Sequence, residues 1–513
     1  MATTTKKTAR NVRNVKQSKS SAATSKGSTT NSTPPRLSIR MYRHGLGDCL
    51  LLRFAKAEGG TFNLVIDCGL VMAATDAKKK MVKVAQDIDQ ACGGHIDVIV
   101  MTHEHWDHAS GFSKDQARAV FDGITVGEVW YGWTEDPQNE LGRTLRKERA
   151  EKVRALALAV AAFSNAAEPA IQLRGKQLGA FLGFFGLEPE TDLSVTSGIG
   201  RTRGAFEYLM QRRGVKTRFL YPSKAPLSLR GVPNVRVYVL GPPEDESYIK
   251  KSTPSKMHSE VYEVGADFSF TAGLASAFSR FRQANSVNDD DCPFDSSFRQ
   301  TTTGSRHRGV VSPALAQLVQ DTWDKPGEEW RLIRDDWTQA AETLALNLDS
   351  HTNNTCVVLA FEFCDTGEVF LFPADAQVGN WLSWQDLSWN IKGESGMAKI
   401  VVSDLLSRTV FYKVGHHGSH NATLRELGLE QMTSDELIAF IPVVEAEAQK
   451  NRWMNMPFKP LLNRLEDRTG GRMLRSDHAA PTAQQLSELP AISRGAFLKR
   501  LNKTDLYFEY AYK

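Results

Sequence analysis

Cysteine pairs of the kind that bind metal ions or form structural disulfides are missing from this chain. Its six cysteines include no C-x-x-C pair, and several lie in apolar runs, where a thiol packs as a small core residue. This usage excludes a small disulfide-stabilised fold. It also predicts a reducing, intracellular environment.

The chain also lacks a long hydrophobic run. The longest apolar candidate, at 155–163, is about half as long as the roughly 20 residues of a transmembrane helix. The basic N-terminus has no apolar segment of the kind found in secretory signals. We therefore expect a soluble, cytoplasmic protein that does not associate with membranes.

Acidic residues are absent from residues 1–36, which contain eight basic ones. Because the net charge of all 513 residues is +4, the rest of the chain carries about −4. It therefore has no global positive excess of the kind seen in proteins that coat DNA. Residues 1–36 have little to bury and are predicted to form a disordered basic arm. Such an arm either attracts an acidic partner or only increases solubility.

From residue 37 onward, short apolar runs alternate with amphipathic segments, a pattern typical of sheets covered by helices. The runs at 96–102 and 410–414 are predicted strands. A helix is predicted to contain Trp381, Trp384 and Trp389, and another to span 481–501. The sequence therefore predicts an α/β fold.

Two histidine clusters follow predicted strands. They are HEHWDH at 103–108 and HHGSH at 416–420, and they hold six of the twelve histidines. Asp67 and Asp375 follow two other apolar runs in the same way. Imidazole and carboxylate groups bind Zn²⁺, and also Mn²⁺ or Fe²⁺. The spacing in the first cluster allows two histidines to bind one ion, while the aspartate and third histidine bind a second.

These motifs resemble those of the metallo-β-lactamase superfamily, in particular the free-standing, ComEC-type branch. The residues that carry the resemblance are THEHWDH at 102–108, HGLGDCLLL at 44–52, LVIDCG at 64–69, TNNTCVVL at 352–359, LFPADA at 371–376 and YKVGHHGSHNAT at 412–423. The resemblance implies an αββα sandwich (the metallo-β-lactamase fold) over residues 37–513. It also implies a long central insertion, within about 134–234 and 244–348.

The resemblance further implies two divalent metal ions, with zinc favoured and manganese or iron as alternatives. The implied metal ligands are His103 and His105 for the first ion, Asp107, His108 and His417 for the second, and Asp375 as a bridge. Within the 416/417 pair, the ligand assignment favours His417 but stays open. The family often has one more histidine, for which His351 is the best candidate.

Other positions carry further implied roles. Asp67 would orient the ligands from behind, and the usual glycine before Asp375 is replaced by Ala374, which fits if the backbone there is extended. The candidate catalytic residues are Asp107 and His416, the latter as a contact to phosphate or a proton donor to the leaving group. The candidate substrate contacts are Trp106, Lys413, Ser419 and Asn354.

A dinuclear centre activates water and offsets charge on a phosphoryl or carbonyl oxygen. The chain is therefore predicted to be a metal-dependent hydrolase, with a phosphodiesterase or nuclease acting on nucleic acid or another phosphodiester favoured. One alternative is hydrolysis of a lactone, thioester or β-lactam, and another is a non-catalytic binding or scaffold module. The basic segment 143–154 fits either pairing within a helix or contact with nucleic acid.

Overall fold

The computed structural model describes residues 34–165, 169–187, 200–252, 313–322, 334–393, 396–450, 453 and 455–513. Residues 35–513 group into one compact unit. Residues 1–33 of the predicted disordered arm lie outside the described residues. Among the helices that are described, none combines the length and apolar character needed to cross a bilayer.

Strands are built mainly from the apolar runs, and the runs at 96–102 and 410–414 are confirmed as strands. The described strands are β1 (Leu37–Tyr42), β2 (Cys49–Ala55), β3 (Thr61–Cys68), β4 (His95–Val100), β5 (Thr125–Gly132), β6 (Lys216–Leu220), β7 (Leu227–Ser228), β8 (Val235–Gly241), β9 (Val358–Phe363), β10 (Val369–Phe372), β11 (Ser388–Gly393), β12 (Gly396–Val401), β13 (Thr409–Lys413), β14 (Ile438–Ile441), β15 (Met473–Arg475), β16 (Leu501–Lys503) and β17 (Tyr507–Tyr512).

Helices occupy the connections between these strands. The described α-helices are α1 (Ala77–Cys92), α2 (Trp106–Ala109), α3 (Arg118–Phe121), α4 (Glu140–Ser164), α5 (Pro169–Phe184), α6 (Arg201–Met210), α7 (Glu246–Ile249), α8 (Pro313–Thr322), α9 (Arg334–Asn354), α10 (Val378–Ser383), α11 (Val402–Ser407), α12 (Glu445–Lys450), α13 (Lys459–Thr469) and α14 (Ala491–Arg500). The described 3₁₀ turns are Ser110–Phe112, Trp133–Glu135, Trp384–Asp386, His416–Gly418 and Leu429–Gln431.

The strands described here form two large sheets and one hairpin. The first sheet has eight strands in the order β16-β17-β1-β2-β3-β4-β5-β6, and the second has seven in the order β15-β14-β13-β10-β9-β8-β7. Strands β11 and β12 pair separately. Each large sheet is antiparallel in one half and parallel in the other. The parallel half runs from β3 to β6 in the first sheet and from β10 through β13 and β14 to β15 in the second.

Alternating side chains on the strands separate the core into layers. Leu50, Leu52 and Phe54 of β2 pack in one cluster with residues of the second sheet such as Phe361, whereas Leu51 packs on the other face. That outer face is covered by α1, α3 and α6, and the outer face of the second sheet is covered by α10, α11 and α13. Since side chains alternate with period two along a strand, each sheet contacts the other sheet on one face and helices on the opposite face. The predicted α/β class is confirmed.

The central part of the chain contributes both helices and strands. Apolar residues of α4, α5 and α9 pack into a separate cluster. Within the predicted insertion at 134–234, β6 pairs with β5 and β7 pairs with β8, so this region also extends the two large sheets. Most of the second predicted insertion, at 253–312 and 323–333, lies outside the described residues.

Two sequence predictions about helices need correction. Trp381 and Trp384 lie in α10 and the following 3₁₀ turn, but Trp389 lies in strand β11, where it packs edge-on against Tyr238. The helix predicted over 481–501 is shorter, because α14 begins only at Ala491, directly after Pro490.

Candidate metal centre

The centre forms where strands of both large sheets end. Strands β3 and β4 are parallel neighbours in the first sheet, and β10 and β13 are parallel neighbours in the second. Loops at the carboxyl ends of such strands commonly build binding sites. Asp67 lies at the end of β3, and the 103–108 cluster, Asp375 and the 416–420 cluster follow β4, β10 and β13.

Four buried side chains converge at this place. Asp48, His108, Asp375 and His417 each offer one ligand atom, and these atoms all lie within 4.8 Å of one another. Nε2 of His108 is 3.0 Å from Oδ2 of Asp375. Asp107 adjoins the group, because its Oδ2 is 3.0 Å from Nε2 of His417. We call these five residues the ligand group, and they can hold a divalent cation.

His103 and His105 form a pair beside the ligand group. Nε2 of His103 lies 3.0 Å from Nδ1 of His105, and the ring centroids of His103 and His108 are 4.2 Å apart. Two nitrogens bound to one tetrahedral ion at about 2.0–2.1 Å are separated by roughly 3.3 Å. The spacing of the pair is therefore close to that of two nitrogens on one ion. Of the 416/417 pair, His417 is the one that lies in the ligand group.

Hydrogen bonds from behind determine which ring nitrogen each histidine presents. Nδ1 of His108 donates to Oδ2 of Asp67 at 2.7 Å, and Nδ1 of His417 donates to the carbonyl oxygen of Pro442 at 2.7 Å. Asp67 also accepts from the backbone N–H and the hydroxyl of Thr102. Both imidazoles consequently turn Nε2 toward the ligand group. Such outer partners commonly orient metal ligands, which is the role predicted for Asp67.

Two buried carboxylate oxygens of the ligand group have no hydrogen-bond partner among the described residues. They are Oδ1 of Asp48 and Oδ1 of Asp107. Each such atom costs about 1–3 kcal/mol when it is left without a partner. A cation that accepts their lone pairs removes this cost, so the donor set fits a metal ion. Mixed imidazole and carboxylate donors suit zinc, manganese or iron.

Lys413 places a buried positive charge beside the carboxylates. Its Nζ lies 3.2 Å from Oδ1 of Asp375, forms a close ion pair with Asp48, and donates to the carbonyl oxygen of Ala374 at 2.9 Å. Burial opposes the charge, but the two carboxylates raise the pKa of Lys413 above its ordinary value. The side chain is 1% exposed, so it supports the ligands from inside, and its predicted contact with a substrate phosphate stays a prediction.

Charges within the centre also shift the pKa values of Asp375 and His108. Burial favours the neutral acid, but the positive charges of His108, Lys413 and His417 lower the pKa of Asp375 well below its ordinary value. Burial likewise disfavours imidazolium, but Asp375 and Asp67 raise the pKa of His108 well above its ordinary value. Without a metal ion, a proton on His108 therefore balances part of the carboxylate charge.

The backbone of the centre is strained at four residues. Asp67, Ala374, His416 and His417 have φ values of 54°, 53°, 42° and 53°. A residue with a side chain pays roughly 1–2 kcal/mol in this left-handed region, and such residues cluster at functional sites. The expectation of an extended backbone at Ala374 is therefore wrong. The carbonyl oxygen of Ala374 is held by the N–H of His416 and by Lys413.

His416 occupies the rim of the centre. It is 8% exposed, whereas the five residues of the ligand group are each 0–1% exposed. Its backbone N–H donates to Oδ1 of Asp375 at 3.1 Å, and its Nδ1 lies 2.9 Å from Oγ of Ser419. Burial lowers the pKa of His416 to about 4, so the ring is neutral at neutral pH. His416 thus lies beside the ligand group without belonging to it.

The remaining predicted residues lie outside the ligand group. His351 does not belong to it, and its Nδ1 lies 3.4 Å from Nζ of Lys152 instead. The amide of Asn354 donates to two backbone carbonyls in the 249–251 segment. Trp106 is buried in α2. For Asn354 the structure therefore shows a tether between helices, while the predicted ligand and substrate roles of these residues stay predictions.

Three further residues of the site were missed by the sequence reasoning, namely Asp48, Asp349 and Gln377. Asp48 directly precedes β2, and the register pairs Cys49 with Cys68 at the end of β3. The amino end of an antiparallel strand lies beside the carboxyl end of its neighbour. The run HGLGD before an apolar strand was therefore a usable signal. Gln377 and Asp349 carry no comparable pattern, because their link to His416 is visible only in three dimensions.

The loop of the first histidine cluster is tied to the central helices by buried charges. Glu104 pairs with Arg149 of α4 and, at 3.4 Å, with Arg203 of α6. Both arginines also contact Glu135. The guanidinium of Arg146 is occupied by backbone carbonyls. Arg146 and Arg149 thus contact groups outside α4. The predicted pairing within the helix is seen between Lys147 and Glu151, at 3.9 Å, and contact with nucleic acid stays a prediction.

Aromatic rings close the side of the centre next to His105. The ring of Phe184 stacks on His105 at 5.1 Å, and Phe185 meets the same imidazole edge-on at 5.1 Å. Trp453 stacks on the far side of Phe184 at 4.9 Å. The first histidine pair therefore borders an apolar wall supplied by the central region.

No family model matches the chain, and no curated protein matches it significantly. Its function is therefore inferred from the residues and their geometry.

Proposed function

We propose that this protein is a metal-dependent hydrolase of the metallo-β-lactamase superfamily that cleaves phosphodiester bonds. The observation that carries the proposal is the buried ligand group of Asp48, His108, Asp375 and His417, whose ligand atoms lie within 4.8 Å of one another, with Asp107 beside it. Converging buried carboxylates and imidazoles, two of whose carboxylate oxygens have no hydrogen-bond partner among the described residues, are typical of a metal site rather than of a packed core.

The charge of the centre supports two divalent ions. Counting only the ligand group and Lys413, three carboxylates and one ammonium carry a formal charge of about −2 when the imidazoles are neutral. One divalent ion neutralises this charge. A second ion at His103 and His105 leaves the centre positive, which attracts the single negative charge of a phosphodiester.

The residues would divide the metal-binding work as follows. His103 and His105 would hold one ion, and the ligand group would hold the other, with Asp375 reaching both. Bound divalent ions lower the pKa of coordinated water and offset negative charge on a phosphoryl oxygen. Oδ1 of Asp107 is buried without a partner among the described residues, and Oδ2 lies 3.0 Å from Nε2 of His417, so one oxygen would bind the ion and the other would orient water. His416, at the rim, contacts a substrate oxygen.

A second candidate is hydrolysis of a carbonyl ester such as a lactone or thioester. The observation that favours it is the apolar wall of Phe184 and Phe185 against His105. Such a wall suits an acyl chain better than a charged phosphate, because burying a charge beside apolar rings is costly.

Hydrolysis of bis(p-nitrophenyl) phosphate by the full chain tests the proposal. Single-stranded DNA, RNA, nitrocefin and a lactone should be measured in parallel. Zinc- or manganese-loaded protein should cleave the phosphodiester, whereas chelation or Asp375→Asn should abolish turnover. Asp435→Asn, at an exposed carboxylate, is the matched control and should keep full activity. Turnover that survives both chelation and Asp375→Asn would refute the proposal, and turnover of the lactone alone would establish the second candidate.

A further inference from the structure

Helix α1 begins with a strongly basic stretch. Residues 77–86 contain four lysines and no acidic residue. Lys80 pairs with Glu447 at 3.4 Å. Lys78, Lys79 and Lys83 are exposed and make no ion pair with a carboxylate of the described residues. We call these three residues the lysine face.

The charges of the lysine face oppose the helix that carries them. The first turn of α1 has no acidic side chain, and Lys78 and Lys79 lie at this positive end of the helix dipole, where cations are unfavourable. Lys79 and Lys83 are four residues apart, so their like charges are neighbours on the helix surface and repel each other. Helix stability therefore does not account for these charges, whereas an anion bound there would offset them.

A groove of about 600 Å³ lies along the lysine face. Its other described lining residues are Ala77, Val82 and Gln86, with Asp76 at the start of the helix. The groove is open to solvent on its outer side. An open, basic groove suits a long polyanion that passes over the surface better than a small molecule, which binds in an enclosed pocket.

The lysine face lies at the edge of the fold that carries the metal centre. Helix α1 follows β3, and Asp67 lies at the end of that strand. In the same turn of α1, Lys80 contacts Glu447, which also accepts a hydrogen bond from the backbone N–H of Leu46 at 2.7 Å. Leu46 belongs to the loop that carries Asp48. The start of α1 is therefore tied to the loop of a metal ligand.

The connection before α1 also reaches the apolar wall beside the first histidine pair. A Cβ placed on Gly183 would lie 3.8 Å from Cβ of Met72, so these two residues pack together. Gly183 directly precedes Phe184, which stacks on His105. The lysine face and the apolar wall thus flank the same connection, and a strand bound to the lysine face can continue toward the histidine pair.

We propose that the lysine face binds the phosphates of a single-stranded nucleic acid and guides the strand to the metal centre. Lysine binds phosphate as a point charge, and successive phosphates of one strand can meet successive lysines along the groove. An acidic protein would meet the same charges but would present no phosphodiester to the centre. The link to cleavage rests on the proposed function, whereas the binding surface does not.

The salt dependence of DNA binding tests the lysine face without cleavage. Fluorescence anisotropy of a labelled single-stranded DNA with the full chain, in EDTA to prevent hydrolysis, measures the affinity. Replacing all three lysines by glutamine should weaken binding by about tenfold or more at low salt, and should make the slope of log K against log salt shallower by about 2, because each phosphate contact contributes about 0.7. Glutamine favours a helix about as well as lysine, so this variant should fold, and its Tm should rise because the repulsion is gone.

A matched control removes the same charge elsewhere. It carries glutamine at three other exposed lysines, Lys392, Lys399 and Lys503, and should keep the wild-type slope. An unchanged slope in the lysine-face variant would overturn the inference. An equal loss in both variants would also overturn it, because binding would then follow net charge and not place. Competition by poly-glutamate as strong as that by unlabelled DNA would assign the face to an acidic protein instead.

Cleavage kinetics then test the link to the centre. In the zinc-loaded lysine-face variant, KM for single-stranded DNA should rise by about tenfold while kcat changes little, because the lost contacts bind the strand away from the reacting bond. The loss of kcat/KM should be smaller for bis(p-nitrophenyl) phosphate, which has a single phosphate. An equal loss for both substrates would contradict the guiding role. If the wild type cleaves no phosphodiester, the proposed function fails, and the anisotropy result still decides the binding surface.

Discussion

Glu104 and Arg149 form a buried ion pair that joins the first histidine cluster to helix α4. Glu104 lies in the sequence between His103 and His105, so its carboxylate fixes the part of the loop that carries the histidine pair. Arg149 extends the contact to Glu135 at 3.0 Å, directly after β5. The central helices therefore help to set the geometry of the centre in addition to covering it.

Removing Arg149 should destabilise the protein. Arg149→Met removes a positive charge that balances the carboxylates of Glu104 and Glu135. Breaking buried ion pairs of this kind typically costs about 3–5 kcal/mol. Urea unfolding should show this loss, while Arg154→Met, at an exposed position on the same helix, should change the free energy of unfolding little. Equal stability of the two variants would contradict a structural role for the network.

Stability should depend on pH through Glu135. Burial raises its pKa, but Arg149 and Arg203 outweigh burial and lower the pKa from 4.5 to about 2. A lowered pKa means that the carboxylate stabilises the fold fully above pH ~4.5 and that this contribution is lost as the pH falls toward 2. The stability difference between wild type and Glu135→Gln, measured by urea unfolding, should therefore shrink between pH 6 and pH 3. A difference that stays constant over that range would contradict this prediction.

Asp48 should be required for tight metal binding. Asp48→Asn removes one charged donor from the ligand group, and we expect zinc affinity to fall by at least about tenfold. Because this change also leaves Lys413 without one partner, Asp48→Asn combined with Lys413→Met is the second variant to titrate. It should fold as well as the wild type and still bind zinc weakly. Wild-type affinity in the double variant would exclude Asp48 as a ligand.

Ala374→Gly should stabilise the fold. The φ of 53° at Ala374 costs an alanine roughly 1–2 kcal/mol and glycine little, although glycine loses more entropy on folding. A net gain of about 0.5–1 kcal/mol should appear as a higher Tm of the metal-free protein. A lower Tm would mean that the strain is smaller than the entropy that glycine adds to the unfolded chain.

Much of the strand framework could be predicted from the sequence, because each run is a local pattern. The run at 96–102 became β4, and the run at 410–414 became β13. Trp389 was misassigned because its burial depends on Tyr238, a residue far away in the sequence. The helix predicted over 481–501 failed at its start for a local reason, since Pro490 precedes the first helical residue.

The site was predictable where its residues form clusters, and much less so elsewhere. His103, His105 and His108 share one loop, so their spacing alone indicated a common role. Asp48 joins the centre through strand pairing. Gln377 joins it through a contact with His416, 39 positions along the chain. Contacts of this kind are set by tertiary packing, and no pattern in a single sequence reports them.

Asp48, His108, Asp375 and His417 are expected to hold a metal ion. Anomalous X-ray scattering from zinc-soaked crystals of the full chain, with metal content measured on the same preparation, detects such an ion and its position. We expect an anomalous peak within bonding distance of these four side chains, and its loss in Asp375→Ala. A zinc-soaked crystal with no peak at this place, or with an unchanged peak in Asp375→Ala, would contradict this expectation.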